Sequence, residues 1–419
     1  MKYTRDGRFG RGAFAPDRND IAPRFGIAYS LDSKTVIRTG GGLYYVRDIG
    51  NGTFDVVRNA PFTIRRNEPG NQTVPNLSWQ VPFTQKGAPT FILINQYGER
   101  TSYIGQWSFG VQRELTKDMS LEVTYMGSTG VHLRRLQTYN AAPPGAGNQT
   151  ARRPFPKFGG FQVMNAPGHS SYHALQSRLQ HRFSNGFTLL GSYAWSKSID
   201  NGSGVRTTDG DPLTPMDDYN LGRERGRSAF DFRHRFTASF LYELPFGKGR
   251  AMSIENPVAN FVLGGWQVGG IFTVQTGFPL TAFCGPGNIQ NGGNYCAPDV
   301  VPGQSPNEIS DRTVQRFFNT SAFVDRLGQN PAAITDFRYG NSGRNTITGP
   351  GITSLDASLT KIFRISERQR LEFRSEFFNL PNHPIFAPPG TTLRTVNYGV
   401  IGATKVDSRQ LQFALKYQF

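Results

Sequence analysis

His169 and His173 stand four residues apart, the spacing that lets two imidazoles share one metal ion on a helix face. No HExxH context surrounds them and no helix signal runs through them, so they read as polar residues of a lumen or loop. His132, His181, His234 and His383 are scattered along the chain. Asp200, Asp209, Asp211, Asp217 and Asp218 share one segment with Gly202, Gly204 and Gly210. Hard oxygen donors on a flexible loop suit Ca²⁺, but the EF-hand spacing is missing, and a solvated loop is the reading kept. Gly10-Arg11-Gly12 and Gly40-Gly41-Gly42 are not followed by a helix and so do not read as phosphate cradles; the second reads as thinning at a strand bend. There is no GxSxG motif. These residues imply neither an enzyme nor a cofactor nor a metal. Cys284 and Cys296 lie twelve apart in a Gly-, Pro- and Asn-rich stretch with no other Cys or His near, which excludes a tetrahedral metal site. A loop-closing disulfide in an oxidising compartment is favoured over two free thiols.

The 419 residues carry 46 Lys plus Arg against 30 Asp plus Glu, a formal charge of +16. Only ten of the basic residues are Lys, and the Arg are spread over every segment without forming a patch, often alternating with apolar residues. That distribution argues against nucleic acid. It suits lumen Arg paired with Glu243, Glu372 and Glu376, and surface Arg facing lipopolysaccharide phosphates. No stretch approaches the ~18 apolar residues of a membrane-spanning helix. Disorder is excluded by 33 Phe, 16 Tyr and 4 Trp, too many aromatic groups for a chain that stays unfolded. The first twenty residues have a basic start without an apolar core and do not read as a secretory signal. Either the chain is cytosolic or its true N-terminus lies upstream of Met1.

The elements that must position these side chains alternate with period two. In the last eleven residues Leu411, Phe413, Leu415, Tyr417 and Phe419 share one face, and Gln410, Gln412, Ala414, Lys416 and Gln418 the other. Eleven such segments are expected as strands, near 22–31, 35–46, 102–115, 119–128, 170–183, 187–198, 230–245, 261–276, 353–364, 369–379 and 409–419. His181, Lys361 and Arg113 fall on apolar faces, where groups near a strand end can snorkel. The connections alternate between short turns, with one longer case at 246–260, and the long stretches 47–101, 129–169, 199–229, 277–352 and 380–408. An outer-membrane barrel sorts its loops this way. Eleven residues at ~3.3 Å each, tilted by roughly 45°, rise about 25 Å, the height of its apolar band. The expectation is therefore an all-β transmembrane antiparallel barrel, one domain over 1–419, whose polar face lines an aqueous lumen. Single-chain bacterial barrels have an even strand count, so eleven reads as the C-terminal half of a 22-stranded barrel.

Several blocks carry a family resemblance. They include APRFGIAYSLDSKTVIRTGGGLYYVRD (22–48), SYIGQWSFGVQRELTKDMSLEVTYMGSTGVHL (102–133), SYHALQSRLQHRFSNGFTLLGSYAWSKSID (171–200) and GGWQVGGIFTVQTGFPLT (264–281). The most specific are an RG-S-FD-RHRF core, formed by Arg225, Gly226, Ser228, Phe230, Asp231, Arg233, His234, Arg235 and Phe236, and the run FNLPNHPIF, with Asn379, Asn382 and His383. Over nearly its whole length the chain resembles the C-terminal barrel of Oar-like TonB-dependent outer-membrane transporters. The resemblance implies capture of a large ligand (a glycan, peptide or protein) by long surface loops, and its import through a lumen unplugged by energy from TonB. It implies residence in the outer membrane of a Gram-negative bacterium beside lipopolysaccharide. It also implies assembly by machinery that reads the C-terminal signal Leu411, Phe413, Leu415, Tyr417 and Phe419. The family's signal peptide, TonB box, plug and regulatory domain are not found in this sequence, so the TonB system would be reached through a missing N-terminal part. A surface adhesion or assembly protein, or a passive porin-like channel, are the alternative functions.

Overall fold

The computed structural model describes residues 15–46, 92–158, 161–184, 186–204, 212, 214–285, 296–325, 337–366 and 368–419. Within them eleven long strands form one antiparallel meander, each paired with its neighbours along the chain. They are β1 Arg24–Ser30, β2 Thr35–Tyr45, β3 Tyr103–Thr116, β4 Met119–Thr138, β5 Gln162–Ser184, β6 Phe187–Asp200, β7 His234–Glu243, β8 Trp266–Gln275, β9 Ile352–Arg364, β10 Arg370–Phe378 and β11 Gln410–Gln418. Each falls on one of the eleven alternating segments. The sheet is open, with β1 and β11 as its edges.

Cross-strand register turns the alternation into two faces. One lateral row runs Phe413, Ser375, Leu359, Val268, Tyr242, Phe187. Another runs Trp195, Leu175, Tyr125, Phe109, Thr39, Ile27. On the opposite face Ser192, Arg178, Glu122 and Gln112 form a polar row. A sheet apolar on one side and polar on the other, with large side chains such as Phe413 and Leu415 exposed, needs lipid against the first face and water against the second. Charged or polar groups stand on the apolar face at both ends: Lys197 pairs with His173 at the long-connection end, and three others lie at the short-turn end. Arg113 donates to Thr35 Oγ1 at 2.9 Å, His181 packs on Phe187 at 5.6 Å between ring centroids, and Lys361 donates to the Gly264 carbonyl.

Two boundaries depart from the alternation. β4 and β5 run to 20 and 23 residues, well past 128 and well before 170, and rise beyond their neighbours as a hairpin. Register shifts at Gly130/Leu133 and Leu133/Arg135, with His132 at φ 56°, break the period there without ending the pairing. The strand expected from 261 begins at Trp266; Phe261–Leu263 belong to the helix Pro257–Leu263. Asn256 caps it, accepting from the N–H groups of Val258 and Ala259 at 3.0 Å each, and Pro257 supplies the fixed φ of a first helical residue.

The buried apolar cluster lies in the long connections, not within the sheet. Phe278, Leu280, Ala282, Phe318, Ala322, Phe323, Ile347 and Leu393 pack together, with Phe232, Val300 and Tyr398 against them. A smaller cluster of Leu93, Leu136 and Met164 packs where strand Leu93–Asn95 joins β5 in parallel.

Candidate functional site

The long connections gather at one end of the sheet, and a buried ionic network stitches them together. Arg344, from the connection between β8 and β9, has a fully buried side chain. Its Nη2 donates to Asp200 Oδ1 at 2.7 Å and to Ser203 Oγ at 3.1 Å, and its Nη1 donates to the Glu224 carbonyl at 2.5 Å. Arg135, on the extended part of β4, donates through Nη2 to Glu224 Oε2 at 3.0 Å and through Nη1 to the Asn201 carbonyl. The other carboxylate oxygen of Glu224 accepts from Met216 N at 2.9 Å. Burial pushes the Glu224 carboxyl above the usual range, opposed by the guanidinium groups of Arg135 and Arg344. One buried unit therefore joins the end of β4, the β6–β7 connection and the β8–β9 connection.

The first sequence motif is part of that unit. Gly226 pairs with Asp200, and a Cβ there would lie 2.8 Å from the Arg344 carbonyl, so glycine is demanded by close approach. Ser228 N donates to the Ser198 carbonyl at 3.0 Å, and the two serine hydroxyls lie 2.7 Å apart. Asp231 accepts from Ser198 N at 2.7 Å and from Arg227 Nε at 2.8 Å. The carbonyl of Arg233 accepts from Ser196 N at 3.0 Å, and His234 Nδ1 lies 2.8 Å from Tyr193 Oη. Arg235 faces the polar side and Phe236 the apolar side, 6.3 Å from Phe272 between ring centroids. Arg225 and Phe230 are exposed.

The second motif is a turn at the long-connection end of β10. Asn379 and Asn382 have φ of 51° and 53°, the left-handed region that asparagine tolerates better than most residues. Asn379 N donates to Asp356 Oδ1 at 2.8 Å, and its side chain bonds both the N–H and the carbonyl of His383 at 3.0 Å. Asn382 Oδ1 accepts from Arg409 N at 2.9 Å, which ties the exit of β10 to the start of β11.

Two further ties complete the layer. Arg338 holds Asp299 with both terminal nitrogens, at 2.8 and 3.2 Å. Asp325 accepts from Gly285 N at 2.8 Å and pairs with Arg394 at 3.1 Å, joining the β8–β9 and β10–β11 connections. Cys284 and Cys296 are disulfide-bonded, with Cα atoms 5.3 Å apart. Beneath the layer the polar strand face forms a shallow concavity of about 350 Å³ lined by Glu122, Gln176, Arg178, Ser192, Arg235 and Thr237.

The aspartate segment is not a solvated loop throughout. Asp200 is buried against Arg344, Asp217 caps the N–H groups of Tyr219 and Asn220, and Asp218 accepts from Thr138 N at 2.8 Å. Asp209 and Asp211 lie outside the described residues. His169 and His173 are not brought together with further ligands, and no group of metal-ligating side chains occurs among the described residues. Of the expected lumen pairs, Glu376 meets Arg374 at 3.4 Å and Glu243 meets Arg250 at 2.6 Å. Leu411, Phe413, Leu415 and Tyr417 line the exposed edge strand, and Phe419 packs on Tyr417 at 5.9 Å. Arg135, Glu224 and Arg344 were not singled out by the sequence; no motif marks them.

An outer-membrane β-barrel domain model matches residues 1–412. The chain belongs to that family. Its fold and its place in the cell outer membrane of a Gram-negative bacterium follow from this membership. No curated protein is similar to this barrel domain in sequence. Among solved structures, the outer membrane transporter YddB from Escherichia coli aligns at a TM-score of 0.50 and 11% identity, over 95% of this chain and 40% of that one. The siderophore receptor PiuA from Acinetobacter baumannii aligns at 0.44 and 11%, over 94% and 35%. The ferripyoverdine receptor of Pseudomonas aeruginosa aligns at 0.44 and 10%, over 95% and 32%. The barrel domain thus spans about two fifths of YddB and less of the other two, and the likeness to YddB is one of fold.

Proposed function

We propose that this chain forms the C-terminal half of a 22-stranded TonB-dependent receptor of the Oar-like kind, which binds a large ligand and imports it. The observation that carries the reading is the stitched layer of long connections over one end of an eleven-strand, two-faced sheet. The long connections take a large share of the described residues on that side, an allocation suited to a glycan, peptide or protein. The polar face below supplies the wetted wall along which such a ligand passes. The remaining strands, a plug and the contact with TonB come from polypeptide preceding this segment. Lipopolysaccharide phosphates meet its surface Arg, and the barrel-assembly machinery reads its aromatic C-terminus.

The test is uptake of labelled candidate glycans, peptides and proteins by cells carrying the complete gene, with and without an intact TonB system. Uptake that needs both the gene and TonB supports the proposal. Binding without uptake selects the adhesion reading, and uptake indifferent to TonB selects a passive channel.

A further inference from the structure

One feature of the short-turn end serves neither strand pairing nor the layer of long connections. Between β7 and β8 the chain does not turn tightly but carries the helix Pro257–Leu263. Val258, Phe261 and Val262 sit at positions i, i+3 and i+4, forming a single stripe. They are 74%, 54% and 55% exposed, and the adjoining Leu263 is also exposed. On the other side of the helix Asn260 turns inward, its Oδ1 accepting from Lys248 N at 2.8 Å.

The helix is fixed to the apolar face of the sheet. The Phe261 ring lies 5.1 Å from that of Phe363, and Trp266 Nε1 donates to the Val262 carbonyl at 3.1 Å. Lys361 Nζ donates to the carbonyl of Gly264, the C-cap, and lies 5.0 and 4.8 Å from the ring centroids of Trp266 and Phe363. Lys361 and Phe363 stand on the lipid-facing side of β9, and Trp266 pairs opposite Lys361. The exposed stripe therefore continues the lipid-facing surface past the ends of the strands. On the polar side of the same segment Arg250 pairs with Glu243. Apolar side chains on one side, charges on the other and a short helix at the level of the strand ends make an interfacial amphipathic element. Bare exposure to water would leave a contiguous apolar patch with no compensating contact. In barrels of this kind the short-turn side faces the periplasm, where the leaflet is phospholipid.

We propose that helix Pro257–Leu263 is a foot seated in the periplasmic phospholipid leaflet, where it sets the depth of β7, β8 and β9 in the bilayer. Lys361 is the positioning residue. It holds the helix end to the sheet and shields its own charge among carbonyl and aromatic groups on a face that otherwise meets lipid.

Photo-cross-linking tests this in the full chain assembled in outer membranes, with p-benzoylphenylalanine placed singly at Phe261, Val262 or Lys248. Lipid adducts are expected at Phe261 and Val262 and none above background at Lys248. Adducts to another protein at Phe261 or Val262, an absence of lipid adducts there, or equal lipid labelling at all three positions would overturn the proposal. A second variant, Val258→Asp with Val262→Asp, leaves the Lys361–Gly264 contact in place and is expected to lose the lipid adduct at position 261. An undiminished adduct in that variant also overturns it. The unaltered background decides the question if the double variant assembles poorly.

Discussion

Replacing Arg344 with methionine tests whether the long connections are one unit or five. The substitution keeps an unbranched stem of similar reach and deletes the guanidinium. Asp200 loses its charged partner but keeps Gly202 N at 3.2 Å and Ser203 Oγ at 2.8 Å. The Glu224 side chain keeps Arg135 and Met216 N. Breaking a buried pair from one side costs about 3–5 kcal/mol, and the surviving bonds put this case at the lower end. A loss of about 3 kcal/mol corresponds to roughly a hundredfold in the equilibrium for opening the layer. Amide hydrogen exchange on the protein in outer-membrane vesicles reads that number directly. Protection should fall by that order at Ser198, Ser228 and Asn345, whose amides are bonded inside the layer. It should stay unchanged at Val268 and Phe272 in mid-sheet. Adding Asp200→Asn removes the stranded charge, so the double variant should recover part of the loss. A fall of less than about fivefold (~1 kcal/mol), confined to residues beside position 344, would refute the single-unit reading.

Three further outcomes are expected. The Glu224 carboxyl is raised by burial, so its contribution to stability is fully present below the ordinary glutamate range and is lost as pH rises through the folded value. Exchange from the layer should therefore quicken as pH rises above that range, after correction for intrinsic rates, and Glu224→Gln should flatten the dependence; a variant with an unchanged pH profile excludes Glu224 as its source. Reducing the Cys284–Cys296 bond should destabilise its loop by a model-dependent ~2–3 kcal/mol, and mass spectrometry finding two free thiols in native envelopes would count against the bond. Deleting Phe419 should lower the yield of heat-modifiable barrel in the membrane while leaving synthesis intact; an unchanged yield would remove its role as an assembly signal.

Strands were legible because lipid on one side and water on the other impose a two-residue period that no tertiary packing overrides. The same logic failed where that boundary condition ends. Past Gly130 the β4–β5 hairpin keeps its ladder while its register shifts, so pairing continues without alternation to report it. Asn256-Pro257 is a helix-start signal present in the sequence, but the alternation of the following strand was carried back over it. The ionic network was illegible for a different reason. Arg344 and Asp200 are 144 residues apart and Arg135 and Glu224 are 89 apart, and a single sequence carries no signal of contact at such separations. The motifs were visible as motifs, yet only the geometry says that Gly226, Ser228 and Asp231 hold the layer together whereas Asn379 and Asn382 shape a turn.

Stitching through Arg344, Arg135 and Glu224 also bears on how the long connections can be exchanged. Loops anchored only at their own strand ends can be exchanged one at a time, like cassettes. Here two buried salt links, Arg135–Glu224 and Arg344–Asp200, tie the end of β4 to the β6–β7 connection and the end of β6 to the β8–β9 connection. A transplanted connection that lacks its component strands the charge that faced it. Altered sequence is therefore tolerated within the spans between these anchors, whereas wholesale exchange of a connection demands a matched replacement of the partner of each buried charge it removes. The ordering entropy of the layer is already spent on folding, so under the proposed function less is lost when a ligand binds.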